Sequence, residues 1–278
     1  MKKNIKIIIS YDGTRFFGWE HQKNKALTIQ GKLENVLYRM LISERYKDNM
    51  TVSKDVLNDI TGSFDDQRIK EVEFKIPTVI GAGRTDAGVS ARAMAANFII
   101  DTDMDLIEIK DYMNRYLPDD IAVNEMFLMD DKFHSRFNAK GKTYIYTCYA
   151  GDSKPVFDRK YVNILYDVPD IDKMRRAAAC LVGEHDFKSF CGNSHMKKST
   201  IRTIYSIDIE EKDGYIRFIY HGDGFLQNMV RIMTGTLLDI GLGKIREEEI
   251  KSILMAKDRK KAGHTAMPQG LMLYSVDY

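Results

Sequence analysis

One acidic residue surrounded by small residues is the first candidate for chemistry in this chain. The stretch GAGRTDAGVSARAMAANF, residues 81–98, places Asp86 two positions after Arg84 and next to alanines and glycines. Small neighbours let another backbone segment or a flat ring approach the carboxylate closely. A turn aspartate beside a structural arginine is the plainer interpretation, and the spacing alone favours it because aspartate is common in turns.

Two glycine-containing motifs resemble known catalytic or binding motifs, but each lacks a residue that the known motif requires. The stretch ISYDGTRF is similar to the D-x-D-G-T start of haloacid-dehalogenase phosphatases, but Ser10 occupies the position of the nucleophilic aspartate. In GAGRTDAG, Asp86 replaces the third glycine of a dinucleotide-binding G-x-G-x-x-G loop, and its charge would repel a pyrophosphate. Because the nucleophile of the first motif is missing, Asp12 to Thr14 are predicted to form a turn after the first strand.

A basic segment runs into a tyrosine-bearing strand in the middle of the chain. The stretch FHSRFNAKGKTYIY carries Arg136 and Lys140 before the predicted strand. Within the strand, Lys142, Tyr144 and Tyr146 share one face because side chains alternate with a period of two. Nucleic-acid bases could stack on this face, and cross-strand aromatic packing explains the pattern equally well.

An arginine lies on the polar face of a predicted long helix, FLQNMVRIMTGTLLDIG, residues 225–241. The apolar face is formed by Leu226, Met229, Val230, Met233 and Leu237. The other face is formed by Gln227, Asn228, Arg231 and Thr234. A solvated arginine is the ordinary interpretation, but Gly235 lets another segment approach the helix closely. An arginine held near Asp86 would keep that acid ionised.

The composition indicates a globular protein with a sizeable core. The 278 residues are 44% hydrophobic, which suits one large domain or two fused halves. No apolar run approaches the roughly 20 residues of a membrane span, and the start of the chain predicts a cytoplasmic protein. Three cysteines without C-x-x-C spacing predict neither disulfides nor a zinc site. With 42 basic and 40 acidic residues, a nucleic-acid site must be a local patch.

Hydrophobic periodicity predicts an α+β protein. The first half reads as β-α-β-β-α-β, and the order starts again in the second half. The clearest signals are helices over residues 106–117 and 171–183 and a strand over residues 121–129. We therefore expect two ferredoxin-like (split β-α-β) halves on a largely antiparallel central sheet, with residues 1–131 in one half and 132–278 in the other.

One polar stretch interrupts this pattern. Residues 43–75 mix charges between the first helix and the next strand, and acids slightly outnumber bases. The stretch is predicted to be an insertion in the first half. Its charge does not favour a basic arm that binds nucleic acid.

Six motifs resemble those of the TruA family of bacterial tRNA pseudouridine synthases, in the family's order. They are YDGTRFFGWEHQ, GAGRTDAGVSA, FHSRFNAKGKTYIY, GEHDFKSF, NMVRIMTG and AGHTAMPQGL. The resemblance implies that Asp86 is the catalytic aspartate, that Tyr144 stacks on the target base and that Arg231 pairs with Asp86. It also implies that Arg84 takes the place of the flipped nucleotide and that Leu271 packs near the base.

The resemblance implies a fold and partners as well. Two ferredoxin-like halves would hold the active cleft between them, and a homodimer would grip tRNA without a metal or cofactor. The residues expected to contact the RNA backbone are Arg84, Arg92, Arg136, Lys140, Lys142 and Arg231. Such contacts release counterions, so binding should weaken as salt rises.

Three positions depart from the family's pattern. Glu20 stands where glutamine is usual, Ser90 where histidine is usual and Met267 where proline is common. The implied target is the anticodon stem-loop of tRNA, at about positions 38 to 40, and another RNA such as rRNA is the alternative. Two further hypotheses stay open: a catalytically inactive RNA-binding protein, and a hydrolase that uses an aspartate nucleophile on nucleosides.

Overall fold

The computed structural model describes residues 2–22, 27–45, 76–193 and 195–278. Within these ranges the chain forms five α-helices and ten strands, whose pairing is largely antiparallel, as predicted. No helix in this part of the chain is long and apolar enough to cross a membrane. Contacts group the chain into unit 1, Met1–Arg84 with Met94–Asn138, and unit 2, Thr85–Ala93 with Ala139–Tyr278. The boundary at residue 131 and the ferredoxin-like character of each half stay predictions.

The elements of the first half follow the predicted order. They are β1 (Lys2–Tyr11), α1 (Ile29–Arg45), β2 (Ile80–Gly81), β3 (Ser90–Asp101), α2 (Leu106–Tyr116) and β4 (Ile121–Met129). In unit 1, β1 lies between β4 and β3, and β2 pairs with β3. Ile5, Ile7 and Ile9 are fully buried because alternate side chains of β1 face the core. Helix α1 includes residues 43–45 of the predicted insertion, and residues 46–75 lie outside the described residues.

Buried polar side chains in unit 1 hold the basic segment that follows β4. The Asn97 side-chain amide donates to Asn4 Oδ1 at 3.0 Å, and Asn97 Oδ1 accepts the Ser135 backbone N–H at 2.9 Å. Asn4 Nδ2 donates to the Phe133 carbonyl at 2.9 Å. Buried amides are stable when they are hydrogen-bonded in this way. The network therefore fixes the backbone from Phe133 to Ser135, next to Arg136.

Unit 2 is built on a largely antiparallel sheet that begins with the first residues of β3. Its other elements are β5 (Gly141–Tyr149), β6 (Asn163–Ile164), α3 (Ile171–Ala179), β7 (Gly183–Asp186), β8 (Ile201–Lys212), β9 (Tyr215–Gly222), α4 (Met229–Gly241), α5 (Glu249–Ala256) and β10 (Leu271–Asp277). The strand order is β3-β10-β5-β9-β8-β7. The pairing of β3 with β10 is parallel, and β10 is antiparallel to β5.

Helix α4 differs from its prediction in two ways. It begins at Met229 rather than Phe225, because Asn228 has a left-handed backbone, with φ of 57°, that lies outside the helix. Its polar face is mostly buried: Thr234 is fully buried and donates from Oγ1 to the Val230 carbonyl at 2.9 Å. A Cβ at Gly235 would lie 1.9 Å from the His264 carbonyl oxygen, so another segment does cross the helix there. The helix is thus a core element of unit 2 rather than an amphipathic surface helix.

Candidate active site

Asp86 lies in unit 2, in the loop between β2 and β3, and a tight turn follows it. The Val89 backbone N–H donates to the Asp86 carbonyl oxygen at 3.1 Å. Gly88 has φ of +80°, as the third residue of such a turn requires. A Cβ at Gly88 would also lie 3.1 Å from Pro268 Cγ. Glycine at position 88 therefore allows both the turn that follows Asp86 and the close approach of Pro268.

Arg231 on α4 faces the Asp86 carboxylate. The distance from Arg231 Nη1 to Asp86 Oδ2 is 3.5 Å, and the two side chains are 14% and 32% exposed. Burial raises the pKa of Asp86 above its ordinary value, and the positive charge of Arg231 lowers it. Burial is the larger effect, so the ionisation of this carboxylate depends on the neighbouring guanidinium.

Two further groups hold the Arg231 side chain, and the sequence interpretation missed both. Arg231 Nη1 donates to Asn228 Oδ1 at 2.7 Å, and Nε donates to the Ala266 carbonyl at 2.8 Å. The Ala266 backbone N–H in turn donates to the Arg231 carbonyl at 3.0 Å. Asn228 gave a signal, because it precedes Arg231 by three residues on the same predicted face. Ala266 gave none, since it acts through its backbone.

Tyr144 is the tyrosine of β5 that lies near Asp86. Its ring packs edge-on against Phe225, with ring centroids 5.1 Å apart, and it is 7% exposed. Burial and then the charge of Asp86 raise the pKa of Tyr144, so its hydroxyl stays protonated at neutral pH. Tyr146 on the same face is fully buried, and its hydroxyl donates to the Met267 carbonyl at 2.8 Å. Tyr146 therefore packs in the core, where it cannot stack on a base.

Leu271 opens strand β10 and is almost completely buried. It pairs with Tyr146 in the antiparallel register of β10 and β5, and Leu273 pairs with Tyr144. Paired residues of antiparallel strands share a face of the sheet. Leu271 thus lies on the tyrosine-bearing face of β5.

The basic candidates occur in both units. In unit 1, Arg84 is exposed and forms an ion pair with Glu20. In unit 2, the exposed Arg92 guanidinium lies 5.6 Å from the ring centroid of Tyr274. The remaining candidates are the exposed Arg136 in unit 1, the exposed Lys140 in unit 2 and the half-buried Lys142 in unit 2. These side chains are accessible enough to meet phosphates, whereas Arg231 is not.

A pocket of about 620 Å³ in unit 2 lies apart from this cluster. It is lined by residues of β5, β9 and β10 that include Thr147, Arg217 and Met272. Leu271 contributes to its wall, but Asp86, Tyr144 and Arg231 do not. The candidate chemistry is therefore carried by the charged cluster rather than by this pocket.

Comparison with known proteins finds similarity along the whole chain. A family model described as tRNA pseudouridine synthase matches residues 7–138 and 177–278. A protein from Bacillus sp. strain KSM-64, named tRNA pseudouridine synthase A, is 41% identical over 275 residues, which is 99% of each chain. Proteins of the same name from Clostridium kluyveri and Thermoanaerobacter sp. strain X514 are 39% and 38% identical, each over 99% of this chain and 100% of the relative.

Proposed function

This chain belongs to the tRNA pseudouridine synthase family, and from that premise we propose that Asp86 is the nucleophile of its reaction. The protein is an isomerase that converts uridine to pseudouridine in tRNA. The observation that supports the role of Asp86 is its largely buried carboxylate, 3.5 Å from the Arg231 guanidinium. Burial and a nearby positive charge are typical of a catalytic acid or nucleophile.

The isomerisation exchanges one bond of the ribose for another. The bond from C1′ to N1 of uracil breaks, the base rotates, and a bond forms from C1′ to C5. The hydrogen of C5 leaves as a proton, and N1 gains one, so atoms and charge balance without a redox partner. A carboxylate nucleophile can serve this exchange by attacking either the sugar C1′ or the uracil C6. The target base must first leave the RNA stack.

Tyr144 is proposed to hold the flipped base by stacking and to donate a hydrogen bond to it. Its ring is fixed by the edge-on contact with Phe225. The raised pKa of Tyr144 keeps its hydroxyl protonated, which supports a role as hydrogen-bond donor over a role as proton acceptor. Leu271 is proposed to pack near the same base, in keeping with its place on the tyrosine-bearing face.

The exposed basic residues are proposed to grip the RNA backbone, with Arg84 filling the place of the flipped nucleotide. The gripping residues are Arg84, Arg92, Arg136, Lys140 and Lys142. Each phosphate contact releases counterions, so tRNA affinity should fall steeply between low and moderate salt. A nearly constant affinity would contradict this surface. Arg231, which the sequence also led us to expect on this surface, is left out of it because its side chain is only 14% exposed and its Nε and Nη1 donate to Ala266 and Asn228.

The target uridines are proposed to lie in the anticodon stem-loop of tRNA, at about positions 38 to 40, as the family resemblance implies. Mapping pseudouridines in RNA from cells with and without this protein tests the assignment. Loss of pseudouridine at those positions would support it. Loss in rRNA instead would redirect it to the alternative substrate.

The protein is proposed to work in the cytoplasm as a homodimer. The three cysteines are free thiols, which suits a reducing compartment. Unit 2 exposes large apolar side chains between β5 and α3, with Phe157 92% and Tyr166 99% exposed. Contact between two copies would bury such side chains. Light scattering should give the mass of a dimer, and Phe157→Glu should lower it. A monomeric mass for the parent protein would contradict the proposal.

The sharpest test of the nucleophile is Asp86→Asn. This variant keeps the size of the side chain but replaces one accepting oxygen with an NH2 donor and removes the charge needed for attack, so catalysis should fall by several orders of magnitude. Fold and tRNA binding should survive. Asp167→Asn, at an exposed aspartate before α3, is the matched control and should react like the parent. The measurement is tritium release from tRNA that carries 5-tritiated uridine.

Other results would favour other functions. Near-normal tritium release by Asp86→Asn would remove Asp86 from the mechanism. Tight tRNA binding without any release by the parent protein would favour the inactive RNA-binding hypothesis. Release of free uracil would favour the nucleoside hydrolase.

A further inference from the structure

The shortest hydrogen bond that the structure gives the Arg231 side chain is to Asn228 rather than to Asp86. Arg231 Nη1 lies 2.7 Å from Asn228 Oδ1 and 3.5 Å from Asp86 Oδ2. Charge-assisted hydrogen bonds are usually about 2.7–2.9 Å long. The hydrogen bond from Arg231 to Asp86 is therefore a long one, while the short hydrogen bonds of Arg231 go to Asn228 and Ala266.

The conformation of Asn228 departs from that of an ordinary helix cap. Asparagine before a helix usually accepts a hydrogen bond from the backbone of the first turn. Here Asn228 has φ of 57° and ψ of 6°, and its side chain makes no capping hydrogen bond. The Oδ1 that would cap α4 instead accepts from Arg231. The Asn228 side chain thus binds Arg231, next to Asp86, instead of capping α4.

The other end of the Asn228 amide is enclosed by a glycine. A Cβ at Gly192 would lie 2.7 Å from Asn228 Nδ2, closer than real Cβ atoms come. The Gly192 backbone N–H donates to the Gln227 carbonyl at 2.8 Å, which fixes the two segments together. With its nitrogen against this backbone, the amide presents its oxygen to Arg231.

We propose that Asn228 is a positioning residue that holds the Arg231 guanidinium at a distance from the Asp86 carboxylate. A carboxylate that attacks carbon loses its negative charge, so a short ion pair would stabilise the ground state more than the transition state. A fixed charge at 3.5 Å favours the ionised form and leaves the attacking oxygens without that short bond. This inference rests on the proposed role of Asp86.

Two variants of Asn228 should change the rate–pH profile in opposite directions. In Asn228→Gly, glycine accommodates the left-handed backbone, and the released guanidinium moves onto Asp86. The acid limb of the Asn228→Gly profile should shift to lower pH, and the plateau rate of this variant should fall about 10- to 100-fold. In Asn228→Asp, a second carboxylate next to Arg231 disfavours ionisation of Asp86. Its acid limb should shift to higher pH.

Titration of the surrounding groups does not confuse this readout. Arg231 on α4 is the charged group that acts on Asp86, and Tyr144 and Tyr146 face the pair from β5. Burial raises the pKa of both tyrosines, so they stay neutral across the working range. The acid limb of the profile therefore reports Asp86.

The measurement is the single-turnover release of tritium from 5-tritiated tRNA at saturating full-length enzyme, between about pH 5 and pH 9. Melting temperature and tRNA affinity should stay near the parent's for both variants, because glycine and aspartate can both adopt the left-handed backbone at position 228. Profiles that match the parent's, or that shift in the same direction, would overturn the inference. If Asp86→Asn keeps its activity, the proposed nucleophile fails, whereas unchanged Asn228 profiles with an inactive Asp86→Asn refute the positioning role alone.

Discussion

Replacing Arg231 by methionine tests how far the ionisation of Asp86 depends on one charge. Methionine keeps much of the apolar volume of the side chain but removes the guanidinium. At an effective dielectric constant of 20, opposite charges 3.5 Å apart attract by about 5 kcal/mol. Because about a third of the Asp86 side chain is exposed, water screens part of this attraction. About 2–3 kcal/mol of the attraction should remain.

The sign of the effect follows from the role of the carboxylate. Burial places the pKa of Asp86 above its ordinary value, so activity should be lost as the pH falls through that raised pKa. Without Arg231 the pKa rises further, and the loss should begin at higher pH. On the acid limb the rate is proportional to the ionised fraction, so 2–3 kcal/mol corresponds to a rate about 30- to 150-fold below the parent's. At alkaline pH the difference should shrink.

The assay is single-turnover tritium release from 5-tritiated tRNA across the pH range, together with tRNA affinity at fixed ionic strength. Arg231→Lys is the matched control, because it keeps the charge but cannot reproduce both the Asn228 and the Ala266 hydrogen bonds. Its acid limb should lie at lower pH than that of Arg231→Met, because the positive charge next to Asp86 is kept. An equal loss for Arg231→Met at every pH would refute the argument from ionisation. A loss of affinity with a normal rate at saturation would assign Arg231 to the RNA backbone.

Three further changes test neighbouring parts of the structure. Tyr144→Phe keeps the ring against Phe225 but removes the buried hydroxyl, so tRNA affinity should hold while the single-turnover rate falls about tenfold or more; a normal rate would leave stacking as the sole role of Tyr144. Gly88→Ala strains a backbone at φ of +80° against Pro268, so both the melting temperature and the rate should fall. Gly243→Ala is its control: φ there is +71° with nothing within 4 Å, so it should lower stability and spare the rate. Glu20→Gln removes the exposed partner of Arg84, and the dissociation constant for tRNA at low salt should fall about two- to fivefold; an unchanged constant would show that the ion pair does not compete with RNA.

Elements with strong signals at both ends were predicted well. Helix α2 was expected over residues 106–117 and ends one residue earlier, at Tyr116. Asp105 and Glu108 form a capping box at its start, and Pro118 follows its end, so local chemistry determines both boundaries. Strand β4 was predicted at its observed bounds, Ile121–Met129.

Elements that depend on distant partners were not visible in the sequence. Strand β7, Gly183–Asp186, begins at the residue that was expected to end a helix. Its polar sequence GEHD has no strand periodicity, and pairing with β8, from Gly183 opposite Ile204 to Asp186 opposite Ile201, defines it. The true start of α4 was hidden for a related reason. Leu226 is buried as the helical pattern requires, although it lies outside the helix.

The same distinction between local signals and distant partners applies to the candidate site. Asp86, Tyr144 and Arg231 were identified by side-chain type and motif, and the structure brings Asp86 and Arg231 within 3.5 Å. The carbonyl that holds Arg231 belongs to Ala266, and every residue has a carbonyl, so no residue type could mark it. The roles of these residues in catalysis stay predictions.

The position of β10 has a consequence for the biosynthesis of the enzyme. This strand lies between β3 and β5, yet it is translated after both. Synthesis of the 191 residues that follow Asp86 up to Asp277 takes about 10 to 40 s at ordinary rates of translation. Once β5 has been made, and until β10 follows it, the strand after Asp86 and the strand that carries Tyr144 lack the strand that lies between them. We therefore expect the site around Asp86 and Tyr144 to assemble only after β10 has been synthesised.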